Sequence, residues 1–342
     1  MLFNIFILVS IFLVMAFWPS KGVQFNHKFN AIDLGHDLEE YLRVSEDKEK
    51  YLRSWARKKI IWHNKRKGKK TAISIVYVHG FSASLGEIRP VPDLVANKLK
   101  ANLYFSRLAG HGSRDPLALG ACSGGDWYAD VEESLEIGYR IGDQVLVIAT
   151  SLGAALVSEY LAKRGPDNRI LGTVFISPCF GIPGWKVQLF RYPVWAKFLF
   201  PLFFGKLRVV TSQTEEASKW WSQVYPVLAI ENLVLCVEKI WRSNFRCIKS
   251  PSLIIFSYKD PWISINRIQE IPEKWGGGST LKPIHVKKNP EEDNSHVILG
   301  DVKSPKETAN GVGIILQWVY SHYNLAEDNS KNKHDKTKKR DK

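Results

Sequence analysis

The chain has 342 residues, 45 % of them apolar, with 12 tryptophans, enough to bury a large core in one large domain or two. Its net charge of +14 is concentrated in two places: nine Lys/Arg and no acid in residues 51–70, and seven Lys/Arg against four acids from Glu327 to Lys342. The body is therefore nearly neutral, and with no recognition motif beside the charge, nucleic acid is excluded as the expected partner. Cys122, Cys179, Cys236 and Cys247 have neither paired nor metal-ligand spacing. Free thiols are expected, with a Cys236–Cys247 bridge left open, and no metal or cofactor.

The opening "MLFNIFILVSIFLVMAFW" is apolar apart from Asn4 and Ser10. At 1.5 Å per residue its apolar run spans roughly 25 Å, a little short of a ~30 Å hydrocarbon core. Residues 1–20 are expected to form an uncleaved membrane anchor with Trp18 at the interface. A cleaved signal peptide is the competing reading, but its basic n-region and A-x-A-like site are missing. The basic residues all follow the segment, which favours a cytoplasmic body; a secreted or periplasmic one is the alternative after cleavage.

Residues 21–56 form a charged lead-in, expected to be helical through "DLEEYLRVSEDKEKYLRSWARKK". "KIIWHN" reads as a short strand and "KRKGKK" as a basic turn. "AISIVYVHG" and "ANLYFSRL" read as strands, followed by a helix with Trp127, Val131, Leu135 and Tyr139 on one face. "QVLVIAT" is a strand apolar on both sides, and "LGAALVSEYLAKRG" a helix closed by Gly165. "RILGTVFISP" and "SLIIFSYKD" are strands; the helical "SINRIQEIPEKW", the strand "LKPIHVKK" and the helical "PKETANGVGIILQWVYSHY" follow. Apolar strands alternating with helices predict an α/β fold, a mostly parallel sheet flanked by helices. Its core falls in two parts, 57–180 and 251–325. Between them, residues 181–250 hold Trp185, Phe190, Trp195, Phe198, Phe200, Phe203, Phe204, Trp220, Trp221, Tyr225 and Trp241, and are read as an inserted helical cap. The tail, 326–342, is expected to be solvated and disordered, with contact to anionic lipid the sharper reading.

One turn concentrates the chemistry. In "VIATSLGAAL" a buried strand runs into a helix through Ser151. Such a turn needs small residues two before and two after, here Ala149 and Gly153, and it pushes the hydroxyl outward beside a helix N-terminus. This is the nucleophile-elbow pattern G-x-S-x-G, with Ala at its first position. A serine needs a base, and the base an orienting acid, on loops after later strands. Asp260 ends "SLIIFSYKD", and His296 lies in "EEDNSHVI". His285 is a rival expected inside a strand, and Asp293 a rival acid too near His296 in sequence. "YVHGF" offers the N–H of Phe81, which with that of Leu152 makes a donor pair for an oxyanion. His79 and Gly80 shape that loop, and His111 of "RLAGHG" is expected to tie the neighbouring loop to it.

With "VHGF", "RLAGHG", "ATSLGAAL", "SYKDPWIS" and "NSHVI" in this order over residues 57–323, the sequence resembles the α/β-hydrolase superfamily, most of all its monoacylglycerol-lipase and serine-aminopeptidase-like branch. The resemblance implies an α/β-hydrolase fold with a cap after the sixth strand, Ser151 as nucleophile, Asp260 as acid, His296 as base, and Phe81 and Leu152 as oxyanion donors. It departs from the family at Ala149, and at the N-terminus, where a helical region stands in place of the first strand. The expected activity is a serine hydrolase acting on carboxylic esters of apolar acyl groups, with a small ester or lipid as substrate. Amide or peptide cleavage by the same residues, and a silent membrane-tethered scaffold, are the alternatives.

Overall fold

The computed structural model describes residues 2–25, 29–211, 214–285 and 295–323. The tail therefore lies outside the described residues, as does Asp293. The apolar N-terminus forms α1 (Leu2–Ala16) and the lead-in α2 (Leu38–Asp47). Strand β1 (Lys59–Ile61) leads to β2 (Thr71–Val78), α3 (Val91–Leu99) and β3 (Asn102–Phe105). One turn, α4 (Ala118–Ala121), precedes α5 (Gly124–Ile141), β4 (Gly142–Thr150), α6 (Leu152–Arg164) and β5 (Ile170–Ile176). The insertion holds α7 (Trp185–Gln188), a π-helical turn (Trp195–Leu199) and α8 (Phe200–Phe204). It continues with β6 (Leu207–Val209), α9 (Glu215–Trp220), β7 (Val224–Pro226) and α10 (Leu228–Ile240). The chain then adds β8 (Ser252–Phe256), α11 (Ile265–Lys274), β9 (Ser279–Pro283) and α12 (Pro305–Tyr323).

Seven strands form one sheet in the order β1-β3-β2-β4-β5-β8-β9. All neighbours are parallel except the edge strand β1, which runs antiparallel to β3. Alternate strand residues feed two cores, as the two-residue period of a strand requires. Val76, Val147, Phe175 and Ile254 meet α5, α6 and α11 on one face. Ile75, Leu146, Val174 and Leu253 meet α3 and α12 on the other. Helix α5 starts at Ser123, whose side chain accepts from Asp126 N–H while the Asp126 carboxylate accepts from Ser123 N–H. Such a reciprocal cap contributes about 1 kcal/mol.

Several expectations are corrected. The lead-in is α-helical only over α2, with short 3-10 turns at Ala31–Leu34 and Ser54–Ala56, because Leu52 bridges Ser113 and Arg53 N–H donates to Gly112 O. That pairing with a distant loop overrides local helix preference. Lys58, one of the nine basic residues in 51–70, is buried against Glu133 and Asp130, and Arg107 meets Glu46 at 2.7 Å beside it. The insertion is not wholly helical, since β6 and β7 form a hairpin within it. All four cysteines are free, as read from the sequence, and the Cys236–Cys247 bridge left open there does not form. Among the described residues no helix is long and apolar enough to cross a membrane; α1 has 15 residues.

Candidate active site

The carboxyl ends of the parallel strands converge on one point, as they do in open α/β sheets. β4 delivers Ser151 in a strained conformation, φ 49° and ψ −115°. Positive φ costs a serine of order 1 kcal/mol or more and persists only where the surroundings enforce it. They do: Ser151 N–H donates to Ile176 O at 3.0 Å, and Cys179 N–H donates to Ser151 O at 3.0 Å. A Cβ on Gly153 would come within 2.6 Å of the carbonyl oxygens of Val78 and His79, so the elbow requires glycine there. Ala149, two residues before, is fully buried with its methyl accommodated.

β8 delivers Asp260, and His296 follows β9. His296 Nδ1 lies 2.7 Å from Asp260 Oδ2, and its Nε2 lies 3.1 Å from Ser151 Oγ. A carboxylate can only accept, so Nδ1 carries the proton and the neutral ring presents Nε2 as an acceptor to the serine O–H. The second oxygen of Asp260 accepts from Trp262 N–H at 2.9 Å. The Asp260 side chain is wholly buried. His285 is not in this group: β9 ends at Pro283, and His285 is exposed beyond it rather than in a core.

β2 delivers the loop of His79, Gly80 and Phe81. A Cβ on Gly80 would stand 3.1 Å from Ser151 Cβ, so the loop lies directly against the serine. Phe81 lines the same cavity as Ser151 and His296, and Leu152 opens α6. Among the described residues neither Phe81 N–H nor Leu152 N–H donates to a backbone acceptor outside regular elements.

His79 braces two loops. Its Nδ1–H donates to Gly80 O at 2.8 Å, and its Nε2 accepts from Leu108 N–H at 3.1 Å. A proton on Nε2 would face that N–H, and burial already pushes the His79 pKa down to about 4. The His111 ring lies 4.9 Å from that of His79, joining the loops as expected of it, and burial holds its pKa well below the usual range. In the unfolded chain both rings take a proton near pH 6.5. Between that pH and about 4 the unfolded state binds protons that the folded state refuses, so stability falls as pH falls through this window. At pH 5 His79 alone is expected to cost about 2 kcal/mol. Burial holds the Asp130 carboxyl up at about 7, which shifts stability the opposite way, so the histidine contribution is read as a difference between variant and wild type. His111→Phe should lose less urea-midpoint stability than the wild type between pH 7 and pH 5; an equal slope in the variant would mean that His111 titrates normally in the fold.

Glu87 escaped the sequence reading. It is buried, and one carboxylate oxygen accepts from both Gly80 N–H and Tyr77 O–H at 2.8 Å. Burial raises its pKa. The available signal was a lone acid in the otherwise uncharged run from Thr71 to Ile88. Cys179 was also missed as a cavity residue; burial pushes its thiol up to about 12.

A hydroxyl, a ring nitrogen able to accept its proton and a carboxylate behind the ring can perform nucleophilic acyl transfer. They open on a cavity of about 250 Å³ lined also by Ile182, Val210, Trp221, Tyr225, Leu233 and Trp262. Among the described residues no three His, Cys, Asp or Glu side chains are grouped to hold a metal ion.

The sequence profile of the alpha/beta hydrolase family matches residues 75–301. The chain belongs to this family. No curated protein sequence matches the hydrolase. Its fold is similar to a structure of metagenome-derived lipolytic enzymes, LipS and LipT, with TM-score 0.61, 18 % identity, and 79 % of this chain and 100 % of that one covered. A monoacylglycerol lipase of Paleococcus ferrophilus is similar at TM-score 0.56 and 16 % identity, over 78 % of this chain and 98 % of that one. A soluble variant of monoglyceride lipase from Saccharomyces cerevisiae is similar at TM-score 0.56 and 14 % identity, over 80 % of this chain and 95 % of the other. At these identities the likeness shows the fold, which is the α/β-hydrolase fold read from the sequence.

Proposed function

We propose that this hydrolase cleaves carboxylic esters of apolar acyl groups through an acyl-enzyme on Ser151. The observation that carries the reading is the continuous hydrogen-bonded chain from Ser151 Oγ through His296 to Asp260, opening on a largely apolar cavity. The lipolytic activities named for the three similar structures support it. Ser151 Oγ attacks the ester carbonyl as His296 Nε2 takes its proton. Asp260 holds the ring and stabilises the imidazolium. The oxyanion lies toward the N–H groups of Phe81 and Leu152, each such donor contributing about 3–4 kcal/mol to the transition state. Collapse expels the alcohol, which takes the proton from His296. Water, deprotonated by the same ring, then attacks the acyl carbon; the acid leaves and Ser151 regains its proton.

A fluorophosphonate probe should label the wild type and not Ser151→Ala. p-Nitrophenyl acyl esters should turn over faster than aminoacyl-naphthylamides. A wild type that takes no label would defeat the reading, and faster amide cleavage would replace ester with amide hydrolysis.

The hydrolase is further proposed to sit on an anionic lipid surface, with its body on the cytoplasmic side. α1 exposes Phe6, Ile11, Leu13, Val14 and Met15, and the cap exposes Phe198, Leu202, Phe203 and Phe204. Phe17, just past α1, packs on Tyr192 and Trp195 of the cap, so the two apolar surfaces are tied together. Residues 181–211 carry Lys186, Arg191, Lys197, Lys206 and Arg208 and no acid. Exposed apolar side chains among basic ones favour the headgroup boundary, and lying in it does not require the length of a spanning helix. Removing residues 1–20 should shift the protein out of the floating fraction with anionic vesicles while short soluble esters are still cleaved. Undiminished flotation would refute an anchoring role for this segment.

A further inference from the structure

The wall of the cavity at Ser151 carries, besides His296, one acidic and one basic side chain, Glu87 and Arg208. They differ in one decisive respect. The Glu87 carboxylate is already engaged by Gly80 N–H and Tyr77 O–H. Arg208 has no such engagement: among the described residues no carboxylate lies within ion-pair distance of it, although other arginines of this chain are paired with acids. Arg208 occupies the middle of β6, opposite Tyr225 of β7; the strand pair fixes its backbone, and its side chain, exposed to solvent, lines the cavity. The same wall holds the apolar Val210, Trp221 and Leu233, with the hydroxyls of Tyr225 and Ser82 as neutral acceptors and, among the described residues, no carboxylate paired with Arg208.

A wholly apolar ester would offer this water-facing cation nothing to bind. A guanidinium is weakly hydrated, permanently charged, and forked to take two oxygens of a phosphate or carboxylate at once. We infer that the ester cleaved at Ser151 carries its own anionic group, a phosphate or carboxylate, which Arg208 engages while the carbonyl lies at the serine. This rests on the ester-hydrolase reading and narrows it to anionic amphiphiles such as a lysophospholipid. The reaction balances without a further reagent: water cleaves the acyl–oxygen bond, the acyl carbon gains hydroxyl, the alcohol gains a proton, and the anionic group leaves unchanged on its own half.

The test uses the full chain and three soluble octanoyl-length esters: neutral monooctanoylglycerol, octanoyl lysophosphatidate with the anion on the alcohol, and a glycerol monoester of octanedioic acid with the anion on the acyl end. One of the two anionic esters should exceed the neutral one in kcat/KM by about 10- to 100-fold, mainly through KM, as a charge-assisted contact requires. Which one does so assigns Arg208 to the alcohol or the acyl side. R208Q should bring that ratio close to one, and R208E should invert it. Raised ionic strength should shrink it in the wild type. Fluorophosphonate labelling of both variants verifies that Ser151 remains active and the fold intact. Equal turnover of all three esters by the wild type, or a preference that survives in R208Q, overturns the inference while leaving ester hydrolysis standing. Absence of both labelling and turnover in the wild type overturns ester hydrolysis, and this inference with it.

Discussion

Ser151→Ala is expected to lower ester turnover by about 10⁴- to 10⁶-fold while leaving the urea midpoint nearly where it was. The loss is large because the remaining groups have no covalent route: His296 and the backbone donors can polarise a carbonyl and a water, but no acyl-enzyme forms. Stability holds because the elbow is set by backbone contacts that alanine keeps, Ser151 N–H to Ile176 O and Cys179 N–H to Ser151 O. Alanine at φ 49° bears the same strain as serine. The lost hydroxyl leaves its place beside His296 Nε2 to water, since the His296 side chain is 16 % exposed. Ser151→Gly provides the contrast. It should be equally inactive yet more stable, because glycine enters positive φ without steric cost. Turnover of a p-nitrophenyl ester and urea denaturation measure both effects; Ser151→Ala retaining near-normal turnover would remove this serine from the reaction.

The site was legible where chemistry and strand ends coincide. Strand β4 carries the unbroken apolar run 145–149, the turn after it must be small, and Ser151 is the hydroxyl that stands in the turn, past the strand's last residue Thr150. Asp260 and His296 fall in the same loop layer because parallel strands place all their carboxyl ends together, and the structure brings both within hydrogen-bond reach of the elbow's side of the sheet. What was not legible depends on partners distant in sequence. Glu87 reads as one acid in a loop until Gly80 folds back onto it. Helix α3 has no counterpart in the sequence reading; it starts after Pro90 with Pro92 in its first turn, where proline is tolerated. The cap has aromatic residues without a period, and burial alone divides them. Phe190 joins Ala196, Val227 and Val234 in a small core of their own, whereas Phe198, Phe203 and Phe204 face outward. Elements of four or five residues, such as α7 and α8, give periodicity too few turns to report a face.

Asp260→Asn should cut kcat by about 10⁴-fold without unfolding the protein. The carboxylate has two obligations, accepting from His296 Nδ1–H through Oδ2 and from Trp262 N–H through Oδ1. An asparagine has one oxygen and one NH₂. If the oxygen stays with Trp262 N–H, the NH₂ points at Nδ1, and the ring must move its proton to Nε2. That nitrogen then meets Ser151 as a donor and has no lone pair for the serine proton. The negative charge that steadies the imidazolium is lost as well, at a side chain wholly removed from water. The substitution is nearly isosteric, so the midpoint of unfolding should move far less than kcat. Ser151→Ala should mask the defect: the double variant should be no slower than the single serine variant, because the two groups act on one proton transfer. Should kcat of Asp260→Asn fall by less than about tenfold, the ring is oriented by something other than this carboxylate.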